Sequence, residues 1–436
     1  MNISYSKHTL ENGLDVLIHE DHALPIVAVN VWYHVGSKNE VPGHTGFAHL
    51  FEHLMFEGSQ HYDRGYFHPL QEAGAALNGS TNADRTNYWE VVPANALDLA
   101  LWMESDRMGY LLPALTDAKF SNQRDVVLNE RRQNYENRPY GLAGSAIVSA
   151  LYPPAHPYHW LTIGEAADIR AAHIDDVRAF FERYYHPSNA SLALAGDIDP
   201  ETGIAMAERY FAEIPGGGKP GEVEATRPDA PTQDIRLVLE DRVELPRVYL
   251  AWHSPGLFAD GDAELDLVGE VLSSGKTSRL YRALVYEQRI ATEVAASQNS
   301  RELGSFFQIV ATAAPGRTLA EVERAIAKEL AALIERGPTA AELERCLAQA
   351  EAHFLFRLQT VGGFGGKSDQ LNAYNTFLGD PGYFARDLQR YRTATSAQLR
   401  DAAAKWLKPD RRVVLSVVPR GRVALALAGS QPVAVS

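Results

Sequence analysis

Residues 47–56 read Phe-Ala-His-Leu-Phe-Glu-His-Leu-Met-Phe, and they set any fold of this chain one problem. In a helix, positions i, i+3 and i+4 share a face, so His49, Glu52 and His53 point the same way. Every other residue of the stretch is apolar, so the helix is predicted to be buried on most sides. Three ionisable groups there are costly unless something answers them. A divalent metal does so: two imidazoles bind it and the carboxylate addresses a water. With 15 His and 55 acidic residues in 436, the pattern His-x-x-(Asp/Glu)-His arises by chance only about 0.06 times. The rival reading is a structural histidine pair bonded to nearby carboxylates.

A catalytic zinc takes three protein ligands and keeps a fourth position for water, so a third ligand lies elsewhere. The segment 120–141 (FSNQRDVVLNERRQNYENRPYG) reads as a helix with Gln123, Val127, Glu130 and Asn134 on one face. Glu130 and Gln123 can both look toward a metal from that face. By spacing alone, Glu104 and Glu136 compete with Glu130.

Composition closes off other classes. The chain has 41 Lys and Arg against 55 Asp and Glu, a net charge of −14, so it lacks the basic footprint that nucleic acid or anionic membranes require. No run of about 18 apolar residues is present, and no membrane span is expected. Cys346 is the one cysteine, which excludes a disulfide or a cysteine-based metal site within the chain and reads as a buried small hydrophobe. The N-terminal residues MNISYSKH have no apolar signal core, so the expectation is cytoplasmic, or periplasmic if a signal peptide was removed.

The order of elements occurs twice. Strands are expected at 14–19 and 26–36, helices at 46–57, 66–73, 94–111 and 119–135, and one strand over 79–92. A helix at 174–185 and a strand at 190–195 follow. The segment 215–233 (PGGGKPGEVEATRPDAPTQ) reads as a linker. A strand at 247–253, a helix at 263–274, helix and strand segments to 312, two or three further helices and a terminal strand at 412–418 repeat the arrangement. The segments HPSNASLALAGDIDP (186–200) and KPDRRVVLSVVPRG (408–421) hold matching places. The fold expected is α+β with two structurally similar halves, 1–214 and 234–436, each a mixed, mainly antiparallel sheet packed with helices.

Two segments imitate a phosphate loop and fail on spacing. GEVLSSGKT (269–277) has five residues between its first Gly and Gly-Lys-Thr where four are needed, and GGFGGKS (362–368) has three. The glycines at 362–366 are read as a loop joining helices beside a cavity. His156 and His159, in PPAHPYHW, are read as packing residues. Tyr88 and Trp89 alternate, so one should enter the core and the other face a cavity.

The H-x-x-E-H order, inverted from the common zincin motif, resembles the inverzincin group that contains pitrilysin, insulin-degrading enzyme and the mitochondrial processing peptidases. GFAHLFEHLMFEGS (46–59) is similar to the motif helix of that group. ALNGSTNADRTNYWEV (76–91) resembles the strand that pairs with bound peptide. Glu130 stands 77 residues after His53, where the family carries its third ligand. The resemblance implies a short bacterial-type, metal-bearing subunit that holds one Zn2+ through His49, His53 and Glu130. It implies Glu52 as general base and peptide binding along Asn78, Gly79, Ser80, Thr81 and Asn82. Gln123 stands where many relatives have a second Glu, so it can position a ligand but not act as a base.

The activity implied is zinc-dependent endopeptidase cleavage of extended peptides in an enclosed chamber. Relatives carry L-R-x-x-x-x-x-x-Y in the second half, and the matching Leu284–Thr292 segment places Val285 and Thr292 at the Arg and Tyr positions. This implies a similar-sized partner subunit without H-x-x-E-H that supplies the Arg/Tyr pair, or else a homodimer in which Arg282, Arg289 or Tyr286 substitutes. The alternative function is a non-catalytic structural subunit.

Overall fold

Strand content follows from β-branched and aromatic runs such as IVAVNVWY (26–33) and RVYLAWHS (247–254), which are buried along nearly their whole length. Continuous apolar strands of this kind need cover on both faces. The computed structural model describes residues 2–225 and 227–435. They form two compact units, one of residues 2–130, 160–224 and 353–386, the other of residues 131–159, 225–225, 227–352 and 387–435.

The first unit contains β1 (Ser6–Thr9), β2 (Asp15–Glu20), β3 (Ile26–Tyr33), β4 (Ala76–Thr81), β5 (Thr86–Pro93) and β6 (Ala190–Gly196). Their order is β1-β2-β6-β3-β5-β4, with β2 parallel to β6 and the other pairs antiparallel. The second unit contains β7 (Ile235–Asp241), β8 (Arg247–Ser254), β9 (Ala291–Asn299), β10 (Ser305–Ala313), β11 (Val413–Pro419) and β12 (Gln431–Pro432). Their order is β12-β7-β11-β8-β10-β9, with β7 parallel to β11. Five strands of each sheet thus share order and sense, and the two halves are similar. Only the outermost strand differs, β1 pairing antiparallel and β12 parallel.

Each sheet recruits a helix from the far part of the sequence. Helix Lys367–Leu378 lies on β3, β6 and β2, and helix Ala143–Leu151 lies on β11 and β8. The first of these contacts is polar: Asn372 Nδ2 donates to Asn30 O (2.8 Å) and Asn375 Nδ2 to Asp15 Oδ2 (2.9 Å). No described helix is long and apolar enough to cross a membrane.

The single strand expected over 79–92 is a hairpin, β4 and β5, broken at 82–85. Asn82 causes the break, because its Oδ1 accepts the N–H groups of Asp84 (2.7 Å) and Arg85 (2.9 Å) and folds the backbone back. Tyr88 enters the core and Trp89 lines a cavity, as their alternation requires. Cys346 is fully buried.

In the second unit His156 and His253 are 5 % and 4 % exposed and flank the Tyr152 ring at 4.7 and 5.2 Å. Burial, with Arg301 and His159 nearby, pushes His156 down to about 4. Burial outweighs the pull of the Leu151 backbone carbonyl and, with Arg227 and His156 nearby, pushes His253 down to about 4. Both are neutral when folded, whereas the unfolded chain protonates them near 6.5. Their contribution to stability is therefore complete above pH 6.5 and lost as the pH falls toward 4, at up to about 1.4 kcal/mol per pH unit for each. Urea unfolding measured from pH 8 to 4 should show this slope, and His253→Phe should flatten it. An unchanged slope in that variant would contradict the assignment.

Candidate metal centre

The motif helix spans Phe47–Leu54, shorter at its C-terminal end than the stretch to 57 that its pattern suggests. Phe51 stacks against Phe180, Phe181 and Tyr185 at 5.8, 5.7 and 5.1 Å, which fixes the apolar face. Glu40 fixes the N-terminus. Its buried carboxylate accepts Gly46 N–H (3.0 Å), Ala48 N–H (2.9 Å) and Trp160 Nε1–H (2.9 Å). These acceptors satisfy N–H groups of the first turn that have no partner within the helix. Burial pushes Glu40 up to about 8, against the donated bonds that favour its charged form.

The opposite face carries His49, Glu52 and His53. Glu130, from helix Asp117–Arg131, reaches it: Glu130 Oε2 lies 3.6 Å from His49 Nε2 and 3.4 Å from His53 Nε2. One ligand atom from each of the three residues falls within 4.8 Å of the others. A tetrahedral zinc with bonds of about 2.0–2.1 Å separates its ligand atoms by about 3.3–3.4 Å, so these residues fit that ion. Their side chains are 13 %, 24 % and 34 % exposed, enough for access by solvent and substrate.

Burial, with His53 adding, pushes His49 down to about 4 and keeps it neutral, the form a metal takes. Burial pulls His53 down too, but the Glu130 hydrogen bond and the charges of Glu52 and Glu130 outweigh it and raise it. Burial raises Glu52, opposed by a hydrogen bond from Thr81 and by His53 and Arg85.

Gln123 hydrogen-bonds His53 and donates to Glu57 Oε1, so it stands beside the site and its amide is engaged on both sides. Glu57 went unremarked in the sequence, although it follows His53 by four residues, one helical turn. Glu40 gave no local signal. The competing acids are committed elsewhere. Glu104 pairs in bidentate fashion with buried Arg107, whose guanidinium lies 3.9 Å from the Tyr66 ring centroid and 4.1 Å from that of Tyr88. Glu136 pairs with Arg131.

Thr81 joins Glu52 to β4, the terminal strand of its sheet. Gly79 makes the close approach of that strand to the motif segment possible, since a Cβ there would stand 2.9 Å from Tyr88 Cδ1 and 3.0 Å from Phe56 Cζ. The bond from Asn82 N–H to Arg85 O sets the alternation of the hairpin, so Thr81, Gly79 and Leu77 turn their backbone groups away from β5. Asn78 Oδ1 accepts Gly79 N–H (2.8 Å) and Ser80 Oγ donates to Asn87 Oδ1 (2.7 Å). Asn82 lies beyond the strand, in the turn. In the second unit, Val285 packs against the core and Thr292 is exposed at the start of β9, so neither position offers an Arg or Tyr.

Residues 15–153 match the profile described as Insulinase (Peptidase family M16), and residues 172–350 match Peptidase M16 inactive domain. The chain is 30 % identical over 333 residues to the zinc protease PqqE of Helicobacter pylori, covering 75 % of this chain and 73 % of that one. It is 24 % identical over 269 residues to a probable mitochondrial-processing peptidase subunit beta of Schizosaccharomyces pombe, covering 57 % and 56 %. The crystal structure of a protease from Helicobacter pylori matches with a TM-score of 0.86 at 26 % identity, over 95 % of this chain and 100 % of that one. A Pseudomonas fluorescens peptidase M16 inactive domain shares the fold, with a TM-score of 0.84 at 19 % identity over 98 % and 100 %.

The geometry separates Glu130 from Glu104 by experiment. Glu130→Gln should lower zinc affinity by at least about 10-fold in a chelator competition, because an amide is a poorer ligand than a carboxylate. Glu104→Gln should leave zinc affinity within about 2-fold yet cost about 3–5 kcal/mol in urea unfolding, through the broken Arg107 pair. Full zinc affinity in Glu130→Gln would remove Glu130 from the ligand set.

Proposed function

This chain belongs to the insulinase family of peptidases, family M16, and from that premise we propose that it is a zinc-dependent endopeptidase acting on extended peptides. The observation that carries the reading is the convergence of His49 Nε2, His53 Nε2 and Glu130 Oε2 beside Glu52. His49, His53 and Glu130 would hold one zinc, and Gln123 steadies His53. When bound, zinc supplies Lewis-acid stabilisation of developing negative charge and makes water acidic enough to ionise near pH 7.

Glu52 takes the proton from the attacking water and returns it to the leaving amine nitrogen. Thr81 holds the Glu52 carboxylate, and its own backbone faces the open edge of β4. A peptide added along Asn78–Asn82 as an extra strand therefore lies beside the base, with backbone pairing for affinity and side-chain pockets for preference. A non-catalytic subunit has no need of this full set of four residues, although the second half matches a profile described as inactive.

The division of labour is a further part of the reading. Val285 and Thr292 leave the chain without the Arg/Tyr pair, and a similar-sized partner without H-x-x-E-H would supply it. The relative named as a subunit supports a paired enzyme.

Glu52→Gln should keep one zinc per chain by mass spectrometry and lower hydrolysis of a quenched peptide library by at least about 100-fold. Residual turnover near the unaltered rate at saturating zinc would assign the base elsewhere. The pure chain should hydrolyse the library slowly, and addition of the Arg/Tyr-bearing subunit should raise turnover by about 100-fold, the effect of one lost oxyanion donor. Robust hydrolysis by a pure homodimer, with sizing to establish its state, would overturn the partner requirement.

A further inference from the structure

The first unit holds a cavity that the metal centre does not use. Its volume is about 470 Å3, within the range of ligand pockets. Its walls include Leu24 from the β2–β3 connection, Ile26 of β3, Ala76 of β4, Trp89 and Val91 of β5, and Val361. Leu24 is 61 % exposed at the rim, and exposed Phe364 stands edge-on to Trp89 at 5.5 Å.

The glycine-rich segment that failed as a phosphate loop builds one wall. A Cβ on Gly362 would stand 2.5 Å from Val91 Cγ2 and 2.6 Å from Ala28 Cβ, so only glycine lets the loop lie flat on the sheet here. Asp369 fixes the loop by accepting Gly365 N–H (2.7 Å), Trp32 Nε1–H (2.8 Å), Asn87 Nδ2–H (3.1 Å) and Asn30 Nδ2–H (3.3 Å). Lys367 Nζ donates to Asp21 Oδ2 (2.7 Å) at the cavity edge. The charged groups answer one another, and the walls that remain are mainly apolar, with Gln359 and Thr360 the polar exceptions.

The pocket lies in line with the strand edge. Ala76 pairs with Val91 and Asn78 with Trp89, so these four share one face of the hairpin. Thr81, five residues on from Ala76, turns its side chain to the other face, toward Glu52. A peptide strand on the β4 edge obeys the same alternation. Its residue opposite Thr81 faces the base, and its residue opposite Ala76, five positions and about 17 Å away, faces the cavity.

We propose that this cavity is a specificity pocket for a bulky apolar side chain, Phe, Trp or Leu, borne by the peptide about five residues from the bond cleaved. The proposal rests on the peptidase reading and on pairing along β4.

The test uses fluorescent twelve-residue peptides of alanine and serine, with a single Phe moved through every position. Binding is read by anisotropy on the zinc-loaded Glu52→Gln protein, which consumes no peptide. One position of Phe should bind at least about 10-fold tighter than the Phe-free reference. Val361→Trp, which fills the cavity, should abolish the difference and leave the reference unchanged. Leu24→Glu, at the exposed rim, repeats the comparison should Val361→Trp fail to fold. With the unaltered enzyme, mass spectrometry of the products should show the cut moving with Phe at a spacing of about five. Flat affinities across positions, or a preference that survives both variants, would overturn the proposal. Positional binding without any cleavage would leave the pocket standing and remove the peptidase reading, whereas cleavage without positional preference would do the reverse.

Discussion

The molecule depends on holding three ionisable side chains on a helix that is otherwise apolar. Burial makes such a face unfavourable unless each group is answered. Two devices answer it. Glu40 ties down the helix N-terminus through Gly46, Ala48 and Trp160, which fixes where the face points. Glu130 then meets His49 and His53 from a separate helix, a donor set fitted to zinc. The same rule governs the layer beneath, where buried Arg107 is enclosed by Glu104, Tyr66 and Tyr88. The acids near the motif thus divide between Glu104, spent on Arg107, and Glu130, which meets the two histidines.

The two halves show what is scaffold and what is chemistry. Both sheets share five strands in the same order, and in both a helix follows the long buried strand. After β3 that helix carries His49, Glu52 and His53. After β8 it is Asp262–Ser273, whose buried Leu265, Val268 and Leu272 fill a core. An edge strand ends each sheet, and β4 is the one packed on the motif helix, where Thr81 stands beside Glu52. Topology was duplicated without duplicating the site.

Much of this was legible in sequence because its signals are local. The motif helix declares itself through helical spacing, and β3, β6, β8 and β11 through dense apolar runs. The break at Asn82 was missed because the flanking Thr, Tyr and Val residues favour one strand, while a side-chain oxygen capping two backbone N–H groups decides otherwise. β1 and β7 were missed because their alternation is half polar. Glu130 could be chosen over Glu104 only through the family resemblance, since the difference lies in Arg107, a partner seen only in three dimensions. Glu40 and Asp369 were invisible for a related reason: besides nearby backbone N–H groups, Glu40 takes Trp160 and Asp369 takes Asn30, Trp32 and Asn87, donors distant in sequence.

X-ray absorption at the zinc K-edge, on the chain loaded with one equivalent of zinc, tests the central claim most directly. The account predicts stoichiometric zinc with nitrogen and oxygen neighbours only, at about 2.0–2.1 Å, with imidazole scattering from two histidines. A sulfur neighbour, a single imidazole, or failure to retain the ion would contradict it.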